Sequence, residues 1–157
     1  PVEFSIGESE YKCLPDRKHV DHDRKVIDIY DFKTDWDNEE GCENSYVRKG
    51  YYLQNGLYHY GVSEWAKEHD LGDYKVNPLT FIWIDSGGFN RPVITETSQD
   101  DIDRAWRGFK VRGVQYTGLK TIIANLNWNI ETANWRTSKA LHECNLRTKL
   151  KVQYGSR

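Results

Sequence analysis

The stretch Lys25–Lys33, KVIDIYDFK, constrains this chain more than any other part of it. Its β-branched and aromatic residues favour an extended backbone. Side chains of a strand alternate between two faces, so Ile27, Ile29, Asp31 and Lys33 share one face and Asp28, Tyr30 and Phe32 the other. Apolar residues on both faces predict a central strand covered on each side. An aspartate and a lysine then stand together at the end of an apolar strand.

The flanking sequence supplies the rest of an α/β domain. Val2–Ile6 alternates, Gly7-Glu8-Ser9 is a turn sequence, and Glu10–Leu14 can return antiparallel. Asp21–Arg24 is a polar turn and Asp35–Asn44 an acidic loop. One long helix is expected from about Ser45 to about His69. Tyr51, Gln54 and Tyr58 lie on neighbouring turns of it, as do Leu57, Gly61 and Trp65. Leu79–Asp85 is a second buried strand, broken by Ser86-Gly87-Gly88, and Pro92–Glu96 a short edge strand. Ser98 and Asp101 form a capping-box pattern. The helix it opens carries Ile102, Ala105, Trp106 and Phe109 as an apolar stripe. The tail from Leu119 is read as partly helical. The expected order is β-β-β-α-β-β-α, a mixed sheet with helices packed on it.

Several classes of function are disfavoured. The chain has 157 residues, 38% of them hydrophobic and 29% charged, an ordinary balance for one globular domain. Mean hydropathy is −0.81, and no apolar run approaches the ~20 residues of a membrane span. No secretory signal is visible, and we expect one domain over residues 1–154. The start at Pro1 and the lack of methionine suggest a processed or shortened chain, with Gly155-Ser156-Arg157 a cloning remnant. Three cysteines at wide spacing, Cys13, Cys42 and Cys144, suggest free thiols in a reducing compartment. The five histidines show no HExxH spacing, and Gly87-Gly88 lacks the pattern of a phosphate-binding loop. The net charge of −2 gives no global sign of a nucleic-acid binder, although a local basic groove suffices for phosphate contacts.

Phosphodiester hydrolysis is assisted by a divalent metal that polarises the phosphate and lowers the pKa of an attacking water. Such a site needs convergent carboxylates and a nearby cation. Asp16 and Asp31, fifteen positions apart, can meet if the chain between them folds as an antiparallel pair of strands. Lys33 would project beside Asp31, with the Phe32 carbonyl between them as a further ligand.

At these residues a resemblance becomes specific. Leu14-Pro15-Asp16-Arg17, then Ile29-Tyr30-Asp31-Phe32-Lys33-Thr34, resembles the signature of the PD-(D/E)xK nucleases. Gln54-Asn55-Gly56-Leu57-Tyr58 is similar to the Q-x-x-x-Y motif of their RecB-like branch. Tyr51–Gln54, the FIWID strand, Trp128 and Trp135 resemble the phage and prophage RecE-like exonucleases, so the similarity runs from Glu10 to about Ala140. It implies a restriction-endonuclease-like core. It also implies Mg²⁺, with Mn²⁺ as a substitute, held by Asp16, Asp31 and the backbone of Phe32. Lys33 would orient or deprotonate the water, and Gln54 and Tyr58 would support the site. Arg17, Thr34, Arg48 and Lys49 are the candidate DNA contacts. The implied substrate is double-stranded DNA with free ends, cut to leave single-stranded tails for recombination. The implied partners are a single-strand annealing protein and further copies of the chain, with no membrane, in a bacterial or phage-infected cytoplasm. The family also carries an acidic or histidine residue on a helix upstream of the first motif. The residues before Asp16 read as strands instead, with Glu8 and Glu10 as the substitutes.

Each residue has a plainer explanation on its own. Asp16 suits a turn. Asp31 and Lys33 suit a surface pair on an edge strand, although the apolar flanks oppose it. Gln54 and Tyr58 suit an amphipathic helix, and Arg48, Lys49, Arg107, Lys110 and Arg112 a solvated surface. Two other functions remain open: a DNA-binding module of this fold that does not cut, and an endonuclease.

Overall fold

The computed structural model describes residues 1–35, 39–85, 92–133 and 135. Ser86-Gly87-Gly88, Cys144 and the last three residues, all singled out above, lie outside them. The elements run β1 (Val2–Ile6), β2 (Ser9–Cys13), β3 (Arg17–Asp21), β4 (Val26–Asp35), α1 (Glu39–Arg48) and α2 (Tyr51–Glu68). Then come β5 (Lys75–Val76), β6 (Thr80–Asp85), β7 (Val93–Glu96), α3 (Gln99–Arg107), β8 (Gly108–Val111), β9 (Val114–Thr117) and α4 (Leu119–Thr132). The chain divides into two units, Pro1–Lys120 and a second beginning at Thr121 inside α4. No described helix is long and apolar enough to cross a membrane.

The fold is α/β with a mixed sheet. Its strands run in the order β3-β4-β6-β7, with β5 paired to β4. β3 is antiparallel to β4, β6 is parallel to β4, and β7 is antiparallel to β6. β4 is therefore internal, as its sequence predicts. Its even split of apolar residues misleads in one respect. Ile27 and Ile29 are wholly buried beneath the helices, whereas Phe32 on the opposite face is 46% exposed. Ile84 and Ile94 are exposed as well. The expected cover on both sides is thus found on one side only, among the described residues.

The covered face is the core. Ile27, Ile29, Leu79 and Phe81 pack with Cys42 of α1 and with Val62 and Ala66 of α2. Each large apolar side chain buried in this way contributes about 1.5–3 kcal/mol. β1 and β2 form a separate hairpin, whose loop has Gly7 at φ +63°, the conformation a two-residue turn requires at its first position. The hairpin lies so close to α2 that a Cβ on Gly61 would stand 2.5 Å from Phe4 Cε1.

The expected single helix is two. Gly50 takes φ +76°, which glycine adopts without steric cost, and the chain turns there between α1 and α2. α1 also begins at Glu39, inside the stretch expected to be an acidic loop. The capping box at Ser98 is present: the hydroxyl accepts from the Asp101 amide, and the Asp101 carboxylate accepts from the Ser98 amide at 2.8 Å. Phe109 does not continue the apolar stripe of α3. The helix stops at Gly108, and Phe109 enters β8, where its ring lies 4.9 Å from Tyr52 and 5.3 Å from Tyr116. The β8–β9 hairpin was not foreseen, because its loop residues Arg112 and Gly113 both need positive φ, +48° and +83°, and only glycine signals that need.

Candidate active site

β3 and β4 pair with Arg17 opposite Tyr30, so Asp16 falls at the level of Asp31. Asp16 sits just before β3 and is exposed. Its Oδ2 accepts a hydrogen bond from the Phe32 amide at 2.7 Å. An extended residue sends its N–H and C=O toward the same neighbouring strand. The Phe32 carbonyl therefore faces the Asp16 side too, while the Phe32 ring belongs to the opposite, open face.

Asp31 is only 2% exposed and lies on the core face beyond Ile27 and Ile29. A buried carboxylate is costly unless it is paired. Here Oδ1 accepts from Gln54 Nε2 at 3.0 Å, and Oδ2 meets the Lys33 ammonium as an ion pair. Oδ2 has no aligned hydrogen-bond donor. Burial pushes the Asp31 carboxyl above the ordinary carboxylate range, the Lys33 ammonium opposes this, and repulsion from Asp16 adds to it. The two carboxylates thus sense each other.

α2 supplies the other wall. Gln54 and Tyr58 are one turn apart, and the Tyr58 hydroxyl donates to the Leu14 carbonyl at 3.1 Å, joining the helix to the segment that carries Asp16. Burial raises the Tyr58 phenol above its usual value, opposed by its hydrogen bond with Gln54. Lys33 is held over the Tyr51 ring, its Nζ 4.4 Å from the centroid.

The structure therefore brings together Asp16, Asp31, Lys33, Gln54, Tyr58 and the backbone of Phe32, which the sequence had separated by up to 42 positions (58 − 16). Arg17 and Thr34 flank this group and are exposed, as are Arg48 and Lys49 at the α1–α2 junction just before Tyr51. Glu8 and Glu10 are exposed on the β1–β2 hairpin. Neither completes a metal site: among the described residues, no three His, Cys, Asp or Glu side chains gather to hold an ion.

Two residues to which the sequence assigned no role stand beside the group. Tyr51 was already placed on the turn next to Gln54 by its helical spacing. Asn55 could not have been found, since a helical asparagine gives no sign of being buried. Its Oδ1 accepts from the Leu79 amide and its Nδ2 donates to the Tyr46 hydroxyl, each at 3.2 Å.

A cavity of about 460 Å³ opens elsewhere, among α1, α3, β7 and β8. None of Asp16, Asp31, Phe32, Lys33, Gln54 and Tyr58 lines it. Its charged groups are Glu43, Glu96, Asp101, held in the cap of α3, and Arg104, in an ion pair with Asp100. The acid–base chemistry is concentrated at the two aspartates, so the candidate site is placed there. No family model matches this chain, and neither does any curated protein or solved structure.

Proposed function

We propose that this protein is a Mg²⁺-dependent deoxyribonuclease, an exonuclease that hydrolyses phosphodiester bonds at duplex DNA ends. Its setting would be recombination or phage DNA processing in a bacterial or phage-infected cytoplasm, beside a single-strand annealing protein, on a restriction-endonuclease-like core. One observation carries the proposal. The exposed Asp16 accepts from the amide of Phe32, the residue next to the buried Asp31, and the ammonium of Lys33 stands against Asp31.

The donor set suits magnesium, which takes one or two carboxylates and keeps several waters. Asp16, Asp31 and the Phe32 carbonyl would hold it, with the Lys33 ammonium beside Asp31 Oδ2. When bound, the metal supplies charge to polarise the phosphate and acidify a water. The protein groups have separate tasks. Gln54 fixes Oδ1 of Asp31 and so sets the direction of Oδ2. Lys33 offers N–H donors to a water or to a phosphate oxygen. Tyr58 keeps α2 docked against the strand segment bearing Asp16. Arg17, Thr34, Arg48 and Lys49 are the candidates for DNA backbone contacts.

The test is degradation of a linear duplex in Mg²⁺ or Mn²⁺, with EDTA, Asp31→Ala and Lys33→Ala as controls. Cleavage should vanish in all three while the circular dichroism spectrum persists. A Lys33→Ala protein that cuts at the wild-type rate refutes the assignment. Closed circular DNA separates exonuclease from endonuclease. A second reading, a nuclease-like module that binds DNA without cutting, is favoured by the lack of a third ligand among the described residues. Salt-sensitive DNA binding with no cleavage in either metal would support it.

A further inference from the structure

The Lys33 side chain does not extend into solvent. It is 14% exposed, paired with Asp31, and its Nζ lies 4.4 Å from the Tyr51 ring centroid and 5.9 Å from that of Phe81. Tyr51 is held in turn. Its ring is 5.8 Å from Trp83 and 6.1 Å from Phe81, and those two rings are 5.7 Å apart. Phe81 and Trp83 alternate along β6 and face Asp31 and Lys33 across the β4–β6 ladder. The first turn of α2 therefore makes two contacts with the Asp-x-Lys strand: Gln54 binds the aspartate, and Tyr51 lies against the lysine.

We infer that Tyr51 is a positioning residue for Lys33, its ring face forming the seat that holds the ammonium beside Asp31. The negative face of an aromatic ring attracts a cation most strongly where water is excluded. Lysine ends in a point charge on a flexible four-carbon stem, so the chain gives it little direction of its own. Asp31 alone leaves the ammonium free to swing about one oxygen. A second contact from another element removes that freedom. The ring face provides this contact and the phenol does not, so phenylalanine should replace tyrosine without loss and an aliphatic residue should not. The kinetic consequence rests on the nuclease reading, whereas the geometry does not.

Two measurements test the inference and keep the two questions apart. The first is NMR of the metal-free protein, with the Lys33 ε-methylene assigned by its loss in Lys33→Arg. Its protons should be shifted upfield by the ring current in the wild type and in Tyr51→Phe, and should return toward the free-lysine position in Tyr51→Leu. Tyr51→Met is a second probe of the same loss should the leucine variant fail to fold. The second measurement is steady-state cleavage of linear duplex. Loss of the ring should lower kcat by about tenfold with little change in KM, and Tyr51→Phe should stay within about twofold of wild type. An unchanged ε-methylene shift in the ring-less variants overturns the inference, as does a phenylalanine variant as slow as leucine. If the wild type cuts no DNA, the nuclease reading fails, and the NMR shift alone decides whether Tyr51 seats Lys33.

Discussion

Replacing Asn55 with alanine should cost this fold more than most substitutions at its core. Asn55 is wholly buried and binds three elements at once. Its Nδ2 donates to the Tyr46 hydroxyl on α1, and its Oδ1 accepts from the Leu79 amide ahead of β6 and from the Thr97 hydroxyl after β7, each at 3.2 Å. In the alanine variant Thr97 keeps its other acceptor, the Leu79 carbonyl at 2.7 Å. The Leu79 amide keeps nothing, and Leu79 is itself fully buried. An orphaned buried N–H costs about 1–3 kcal/mol. The void left by the carboxamide adds about 1 kcal/mol. The expected loss is therefore about 2–4 kcal/mol. Urea unfolding followed by tryptophan fluorescence would read it, since the buried Trp83 donates to Thr95 Oγ1 and should report loss of the packed sheet. With a slope of about 1–3 kcal/mol per molar, the midpoint should fall by about 1 M or more. Thr97→Val makes the comparison, because it removes one shared hydroxyl and leaves the Leu79 amide satisfied, for about 0.5–1.5 kcal/mol. An Asn55→Ala protein within about 0.5 kcal/mol of wild type, or less affected than Thr97→Val, would refute the reasoning.

Other consequences follow from the same packing. Gly61→Ala gains about 1 kcal/mol of helix propensity, but its Cβ meets a Phe4 ring held between Tyr11 and Tyr60. Overpacking of about 1–3 kcal/mol should win, and a raised unfolding midpoint would show that the β1–β2 hairpin yields instead. Ser98→Ala removes the acceptor for the Asp101 amide and should cost about 1 kcal/mol, visible as an earlier thermal transition by circular dichroism. Asp31 has its carboxyl raised by burial, so the folded protein holds this proton above the unfolded value, and its contribution to stability falls as pH rises through that window. Subtracting the profile of Asp31→Asn from that of wild type should leave a negative slope just above the ordinary carboxylate range; a flat or positive difference contradicts the assignment.

Some of this protein was legible as soon as the sequence was read. Asp31 and Lys33 share a face because side chains alternate in any strand, and KVIDIYDFK has little choice but to be one. The turn at Asp21–Arg24 sets Asp16 level with Asp31 by short-range pairing, and Gln54 and Tyr58 share a helix face whatever lies beside it. The capping box is equally local, as its two hydrogen bonds span three residues. Other features were decided only by tertiary structure. Nothing near residue 50 in the sequence says that Gly50 takes positive φ rather than continuing a helix, since glycine tolerates both. Phe109 fits the stripe of α3 as well as it fits β8, and its contacts with Tyr52 and Tyr116 favour the strand. The faces of β4 carry apolar residues alike, but among the described residues only one is covered by helices. The burial of Asp31, the node at Asn55 and the Tyr51 ring beside Lys33 all require α2 to lie across β4 and β6. Sequence periodicity fixes which side chains share a face, while the docking of one element on another fixes which of those faces is dry.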